Sequence, residues 1–142
     1  MYLVDTNVVS GLAKAPSVGA WVEANSDRLF LSVVTIAEIT DGIAKSRRQG
    51  ATRKADELSA WFETLLHLYR DRILVFDVAA ARVAGALSDR ARGLGWTPGL
   101  ADIIIAATAA GRGLVILTRN LRHFGPLGVP AHDPFASLPP DS

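Results

Sequence analysis

Short apolar runs alternate with longer amphipathic stretches along the chain. Residues 2–5, 29–33, 73–76 and 114–117 are brief, dominated by apolar side chains and bounded by polar or turn-forming residues, which predicts buried strands, with room for a short edge strand at 129–132. The stretches between them carry helical spacing. Asp5 or Thr6 caps a first short helix through about Ala13, which Pro16 and Ser17 break; Val18, Trp21 and Val22 mark a second at 18–25. Thr35 opens a third, with Glu38 in the capping-box position, a core stripe of Ile36, Ile39 and Ile43, and Gly50 at its end. Ala55, Leu58, Phe62, Leu65 and Tyr69 recur along a helix at 52–69 that forms a hairpin with the one before it. An alanine-rich helix at 78–94 turns Val83 and Leu87 inward and Arg82, Asp89 and Arg90 outward, ending at Gly93 and Gly95. The helix at 100–110, stopped by Gly111 and Gly113, is apolar all round and hence buried, except for Asp102 and Thr108; a short helical turn reaches Phe124. Strands alternating with helices predict a three-layer α/β/α sandwich around a central parallel sheet of four to five strands.

In such a sheet, right-handed crossovers bring all strand C-termini to one edge, which is the rim where α/β sheets bind ligands. Two strands end alike there: Leu3-Val4-Asp5-Thr6-Asn7 and Ile116-Leu117-Thr118-Arg119-Asn120. Asp102, in the first turn of the helix leading into the fourth strand, comes to the same rim. Local roles are open to each of these residues. Asp5 or Thr6 can cap a helix, Asp102 can favour a helix dipole, and Asn120 can serve a turn. Glu38 projects away from its helix's isoleucine stripe, toward Gly42 and Lys45, as an exposed glutamate or half of a capping box. A carboxylate on an otherwise buried helix is costly without a compensating cation, which turns Asp102 toward a cation or metal.

Three carboxylates in a chain with no cysteine suit a hard cation such as Mg²⁺ or Mn²⁺, not zinc. Mg²⁺ held by few carboxylates works together with substrate phosphates, and phosphodiester hydrolysis is the matching chemistry.

Length and composition narrow the class. At 142 residues and 49% hydrophobic content the chain is expected to be one globular domain over 1–142, with about 135–142 as a flexible tail. The lack of cysteine excludes a disulfide framework and a Cys nucleophile and suits a reducing cytoplasm. No secretory leader is legible, and the most apolar stretch, Ile103 to Gly111, is too short for a bilayer, so no membrane association is expected. The net charge of +1 says little of a polyanionic partner; Lys45, Arg47, Arg48, Arg53 and Lys54 form a local basic cluster that is either a solvated helix junction or a phosphate contact. His67, His123 and His132 lack metal-ligand spacing and read as structural.

Taken in order, the motifs carry a resemblance. Tyr2-Leu3-Val4-Asp5-Thr6-Asn7, then Ser32-Val33-Val34-Thr35-Ile36-Ala37-Glu38-Ile39, then Ala101-Asp102-Ile103-Ile104-Ile105-Ala106-Ala107-Thr108-Ala109 and Leu117-Thr118-Arg119-Asn120-Leu121-Arg122-His123-Phe124, followed by Gly128-Val129-Pro130 and Asp133-Pro134-Phe135, resemble the PIN-domain toxins of the VapC type, and within them the FitB-like branch. The resemblance covers nearly the whole chain. It implies a metal-dependent endoribonuclease, the toxin of a type II toxin–antitoxin module, with Asp5, Glu38 and Asp102 as the acidic site for Mg²⁺, Mn²⁺ able to substitute. Where much of the family has a fourth acid, this chain has Asn120, which is expected to orient water or the metal's shell without adding charge. Thr6 and Thr118 are expected to orient carboxylates or water, and Arg119 to contact a substrate phosphate or an antitoxin acid. The implied partners are an RNA substrate, a VapB/FitA-like antitoxin, a second copy in a homodimer, and promoter DNA reached only through the antitoxin. The exposed edge of the 35–70 hairpin, with Trp61, Leu65 and Leu68, is a candidate antitoxin groove or ordinary core packing. The missing fourth acid also allows a catalytically weak protein whose main role is in a promoter-regulating complex. An aspartyl phosphotransferase wants a second Asp two residues after Asp5, where this chain has Asn7.

Overall fold

The computed structural model describes residues 1–140. Strands β1 (Tyr2–Val4), β2 (Leu29–Ser32), β3 (Ile73–Leu74), β4 (Val115–Leu117) and β5 (Ala131–His132) pair in parallel in the order β3-β2-β1-β4-β5. Helices α1 (Thr6–Gly11), α2 (Pro16–Ala24), α3 (Val33–Arg48), α4 (Thr52–Tyr69), α5 (Val78–Gly93), α6 (Leu100–Arg112) and α7 (Leu121–Phe124) cover the two faces.

Because strand side chains alternate between faces, β1 serves two cores. Tyr2 and Val4 join Val8, Trp21, Leu31, Ile39, Phe62 and Tyr69 on the side of α1 to α4. Leu3 joins Ile105, Ala106, Ile116, Phe124 and Leu127 on the side of α6 and α7. A strand buried on both faces needs a continuous apolar run, and Tyr2-Leu3-Val4 is one. From β1 the chain adds β2 and β3 on one side, then returns to place β4 on the other. The strand order therefore reverses between β1 and β4, the position at which α/β sheets open a ligand crevice.

Several boundaries differ from the sequence expectations. Helix α3 starts at Val33, not Thr35, because Ser32 is its N-cap and its hydroxyl accepts from the Val34 N–H at 3.1 Å. Strand β2 consequently stops at Ser32, and Glu38 is no part of a capping box. Pro16, read as a breaker, is the first residue of α2, where its missing N–H costs nothing. Strand β3 pairs only over Ile73–Leu74, and Val75 beyond it is exposed. Helix α6 runs through Gly111 to Arg112 and stops where Gly113 adopts φ +66°, a left-handed conformation that glycine tolerates. Its buried face is broad, but Leu100 at its start is exposed.

The expected tail at 135–142 begins with residues that have fixed neighbours. Phe135 packs against the first core, its N–H donates to Asp133 Oδ1, and His132 Nε2 lies 2.7 Å from the Ser137 carbonyl oxygen. Residues 141–142 lie outside the described residues.

The N-cap assignment is testable. Replacing Ser32 with Ala removes the side-chain acceptor that caps α3, and a loss of about 1 kcal/mol is expected. In thermal melts this lowers the midpoint by roughly 2–5 °C.

Candidate active site

Asp5 follows β1 and caps α1, so the strand delivers it to the crevice and the helix fixes its rotamer. Its Oδ1 accepts from the Thr6 N–H at 2.8 Å, and its Oδ2 accepts from Thr118 Oγ1 at 2.8 Å. The second bond follows from register: Val4 pairs with Leu117, so the residues that follow, Asp5 and Thr118, stand side by side at the C-terminal ends of the two strands between which the strand order reverses. Asp5 is only 6% exposed and Thr118 is fully buried.

Thr118 is a hub. Besides donating to Asp5, its hydroxyl accepts from the Asn120 N–H at 3.0 Å and from Asn7 Nδ2 at 3.4 Å. Asn7 Oδ1 in turn accepts from the Arg119 N–H at 3.2 Å. The two similar strand ends are thus tied together residue by residue.

Glu38 enters from α3. Thr6 Oγ1 donates to Glu38 Oε1 at 2.7 Å and shares a 3.0 Å hydrogen bond with the buried Thr35 hydroxyl. The side of α3 that faces away from the isoleucine stripe faces the start of α1, so the glutamate meets Thr6. Asp102, half-buried in the first turn of α6, has its Oδ2 3.1 Å from His123 Nδ1. Burial lifts the Asp5 carboxyl above its ordinary pKa; the Thr118 and Thr6 hydrogen bonds pull it partly back, and the charges of Asp102 and Glu38 lift it further. These like charges converge on one buried carboxylate.

Asn120 joins this network through its backbone N–H, and its exposed side chain stands at the rim. Arg119 is exposed, its guanidinium 4.7 Å from the centre of the Phe135 ring. A β-carbon on Gly11 would lie 3.0 Å from Phe135 Cζ and 3.5 Å from Arg119 NH1, so the absence of a side chain there allows the arginine and the ring to stack against α1.

Sequence reading missed four participants. Asn7 belongs to the same strand-end pattern as Thr118 and could have been paired with it. His123, read as structural, contacts Asp102; local ligand spacing hides a pair twenty-one positions apart, although both residues follow elements that end at one rim. Thr35, through its hydrogen bond with Thr6, and Phe135, through packing, act across the fold, and neither role left a local signal.

Among the described residues, no three His, Asp or Glu side chains already form a cage for a metal ion. The donor set nevertheless fits a hard divalent cation. Asp5, Glu38 and Asp102 offer carboxylate oxygens, and a bound cation would offset both the burial that chiefly lifts the Asp5 pKa and the smaller repulsion from Asp102 and Glu38.

Comparison with known proteins agrees with the fold that carries these residues. The PIN domain model matches residues 2–125. The chain is 35% identical over 139 residues to the VapC ribonuclease Y4jK of Sinorhizobium fredii, covering 95% of this chain and 98% of that one. The crystal structure of FitAcB from Neisseria gonorrhoeae superposes with a TM-score of 0.85 at 31% identity, covering 94% of this chain and 98% of the other. DNA-bound VapBC from Salmonella typhimurium superposes with a TM-score of 0.79 at 26% identity, covering 93% and 96%. Because the family match runs unbroken from β1 to the residue after α7, and so takes in every strand and helix that brings Asp5, Glu38, Asp102 and Thr118 together, the chain belongs to the PIN-domain family.

Proposed function

We propose that this protein is a divalent-metal-dependent endoribonuclease and the toxin of a toxin–antitoxin pair. The observation that carries the reading is the buried Asp5 at the end of β1, where the strand order reverses, its pKa raised by burial and further by the nearby charges of Asp102 and Glu38. The relatives support the biology: one is named a VapC ribonuclease, another, 30% identical over 142 residues, is named Toxin FitB, and the VapBC structure is DNA-bound. Asp5, Asp102 and Glu38 would hold Mg²⁺, with Mn²⁺ as a substitute. When bound, the metal supplies charge that favours ionisation of water and stabilises the phosphate in transition. Thr118 and Thr6 hold the Asp5 and Glu38 oxygens in place. Asn120, at the rim, offers a neutral amide to orient the attacking water. Arg119 offers a cation to a phosphate of the RNA.

An antitoxin of the VapB/FitA kind has a surface to cover. A groove of roughly 530 Å³ begins at Thr6 and Glu38 and runs along Val9, Ile39, Ile43 and Leu58 to Trp61. Trp61 and Leu68 are exposed on α4, whereas Leu65 packs against the first core. A homodimer, and promoter DNA contacted only through the antitoxin, complete the assembly we propose, in the cytoplasm. No helix among the described residues is long and apolar enough to cross a membrane.

The test is cleavage of total RNA by purified protein, followed by sequencing of the RNA ends. Discrete cuts in Mg²⁺, their loss in EDTA and their return with Mn²⁺ are expected; cutting that persists in EDTA would refute the metal-dependent reading. The second reading is a weak nuclease acting through its promoter-bound complex. It is favoured by the amide at Asn120, which leaves the site a carboxylate short. Absence of Mn²⁺ binding by calorimetry, with or without a phosphate ligand, would decide for it.

A further inference from the structure

The proposed chemistry leaves His123 without a role, yet this residue makes direct contact with one of the acids. Its Nδ1 lies 3.1 Å from Asp102 Oδ2, and both side chains are half-buried. Two features fix the imidazole. Phe124, the next residue, is fully buried and anchors α7 in the second core. Trp96, from the loop before α6, stands against the ring with centroids 6.4 Å apart and planes inclined at 41°. Among the described residues Asp102 Oδ1 has no hydrogen bond or ion pair, so one carboxylate oxygen is occupied and the other is open.

Resting on the reading of this site as a metal centre, we infer that His123 is a positioning residue for Asp102. It holds Oδ2, fixes the carboxylate's rotation and leaves Oδ1 for the divalent cation. A carboxylate in the first turn of a helix is otherwise free to rotate about its terminal bond, and ordering it on metal binding costs entropy. Outer partners that orient a ligand typically contribute about 10- to 100-fold in metal affinity. The ring's packing on Trp96 is a merely structural alternative, and two substitutions separate the two. His123→Phe keeps an aromatic ring against Trp96 but loses Nδ1. His123→Asn loses the ring but places an amide nitrogen close to the position of Nδ1.

The experiment is calorimetric titration of the full-length protein with Mn²⁺, without RNA, alongside metal-free melts. His123→Phe is expected to weaken Mn²⁺ binding by about 10- to 100-fold with little change in the metal-free melting temperature. His123→Asn is expected to bind Mn²⁺ nearly as the wild type does. At saturating Mn²⁺, cleavage by His123→Phe is expected to recover, because the loss is in affinity. Unchanged Mn²⁺ affinity in His123→Phe, or equal weakening in both variants, overturns the inference. Should the Phe variant fail to fold, His123→Leu takes its place with the same expectations. Failure of the underlying reading looks different: the wild type would not bind Mn²⁺, or Asp5→Asn would bind it equally well, and the His123 inference would fall with it.

Discussion

Asp5→Asn is expected to reduce RNA cleavage by on the order of 10³-fold or more while leaving the metal-free protein folded, with a stability that gains on the wild type's as pH rises. The activity loss follows from position. Asp5 is the most buried of the three acids and lies at the C-terminal end of the β1–β4 pair, where the strand order reverses, so the proposed cation site would lose its central charge. The stability expectation follows from the raised pKa. The native state holds a proton on Asp5 more tightly than the unfolded chain does, so the wild type is favoured at low pH. Its advantage is lost as pH rises from the ordinary carboxylate pKa through the raised one, where the native state must carry a poorly solvated charge. Asn carries no such charge; it keeps an acceptor for the Thr6 N–H but sets an amide nitrogen where Oδ2 accepted from Thr118, a cost that does not vary with pH. Unfolding in EDTA across a pH series should therefore show the variant gaining on the wild type as pH rises through that window, then running parallel above it. Adding Mn²⁺ should raise the wild-type melting temperature and leave the variant's nearly unchanged. Well-folded Asp5→Asn that still cleaves RNA at several metal concentrations would remove Asp5 from the site.

Thr118→Val is the second large effect. The two side chains are nearly isosteric, so the change deletes an oxygen and little else. That oxygen donates to Asp5 Oδ2 and accepts from the Asn120 N–H and from Asn7. Its removal leaves buried groups without partners, at a cost of about 1–3 kcal/mol. It also removes the stronger of the two hydrogen bonds that hold the Asp5 pKa down, so the carboxyl rises further. Mn²⁺ affinity is expected to fall about 10- to 100-fold, with cleavage at low metal falling in parallel. Thr118→Ser, which retains the hydroxyl, should restore most of both. A Thr118→Val protein with wild-type affinity for Mn²⁺ would show that the hydroxyl serves only the fold.

The elements themselves were largely legible, and physical chemistry says why. A strand covered on both faces must be continuously apolar, and a covered helix must repeat its apolar residues every three or four positions. Tyr2-Leu3-Val4 and Ala55, Phe62 and Tyr69 satisfied those demands locally. Helix ends were less legible because caps compete. Ser32 and Thr35 are both good caps, and the choice of Ser32 was made by where β2 stops pairing.

The site divides in the same way. That Asp5, Asp102 and Asn120 come to one rim follows from the sequence, because parallel strands with right-handed crossovers leave no other edge for their C-termini. The lack of cysteine was legible as well, and with it the exclusion of thiolate ligands and a Cys nucleophile. Only the tertiary structure decided that Glu38 meets Thr6, that Thr118 donates to Asp5, and that His123 faces Asp102. Those contacts join residues from 21 to 113 positions apart. No local propensity encodes such a pairing, because it depends on the strand register and on how α1, α3, α6 and α7 pack across the sheet.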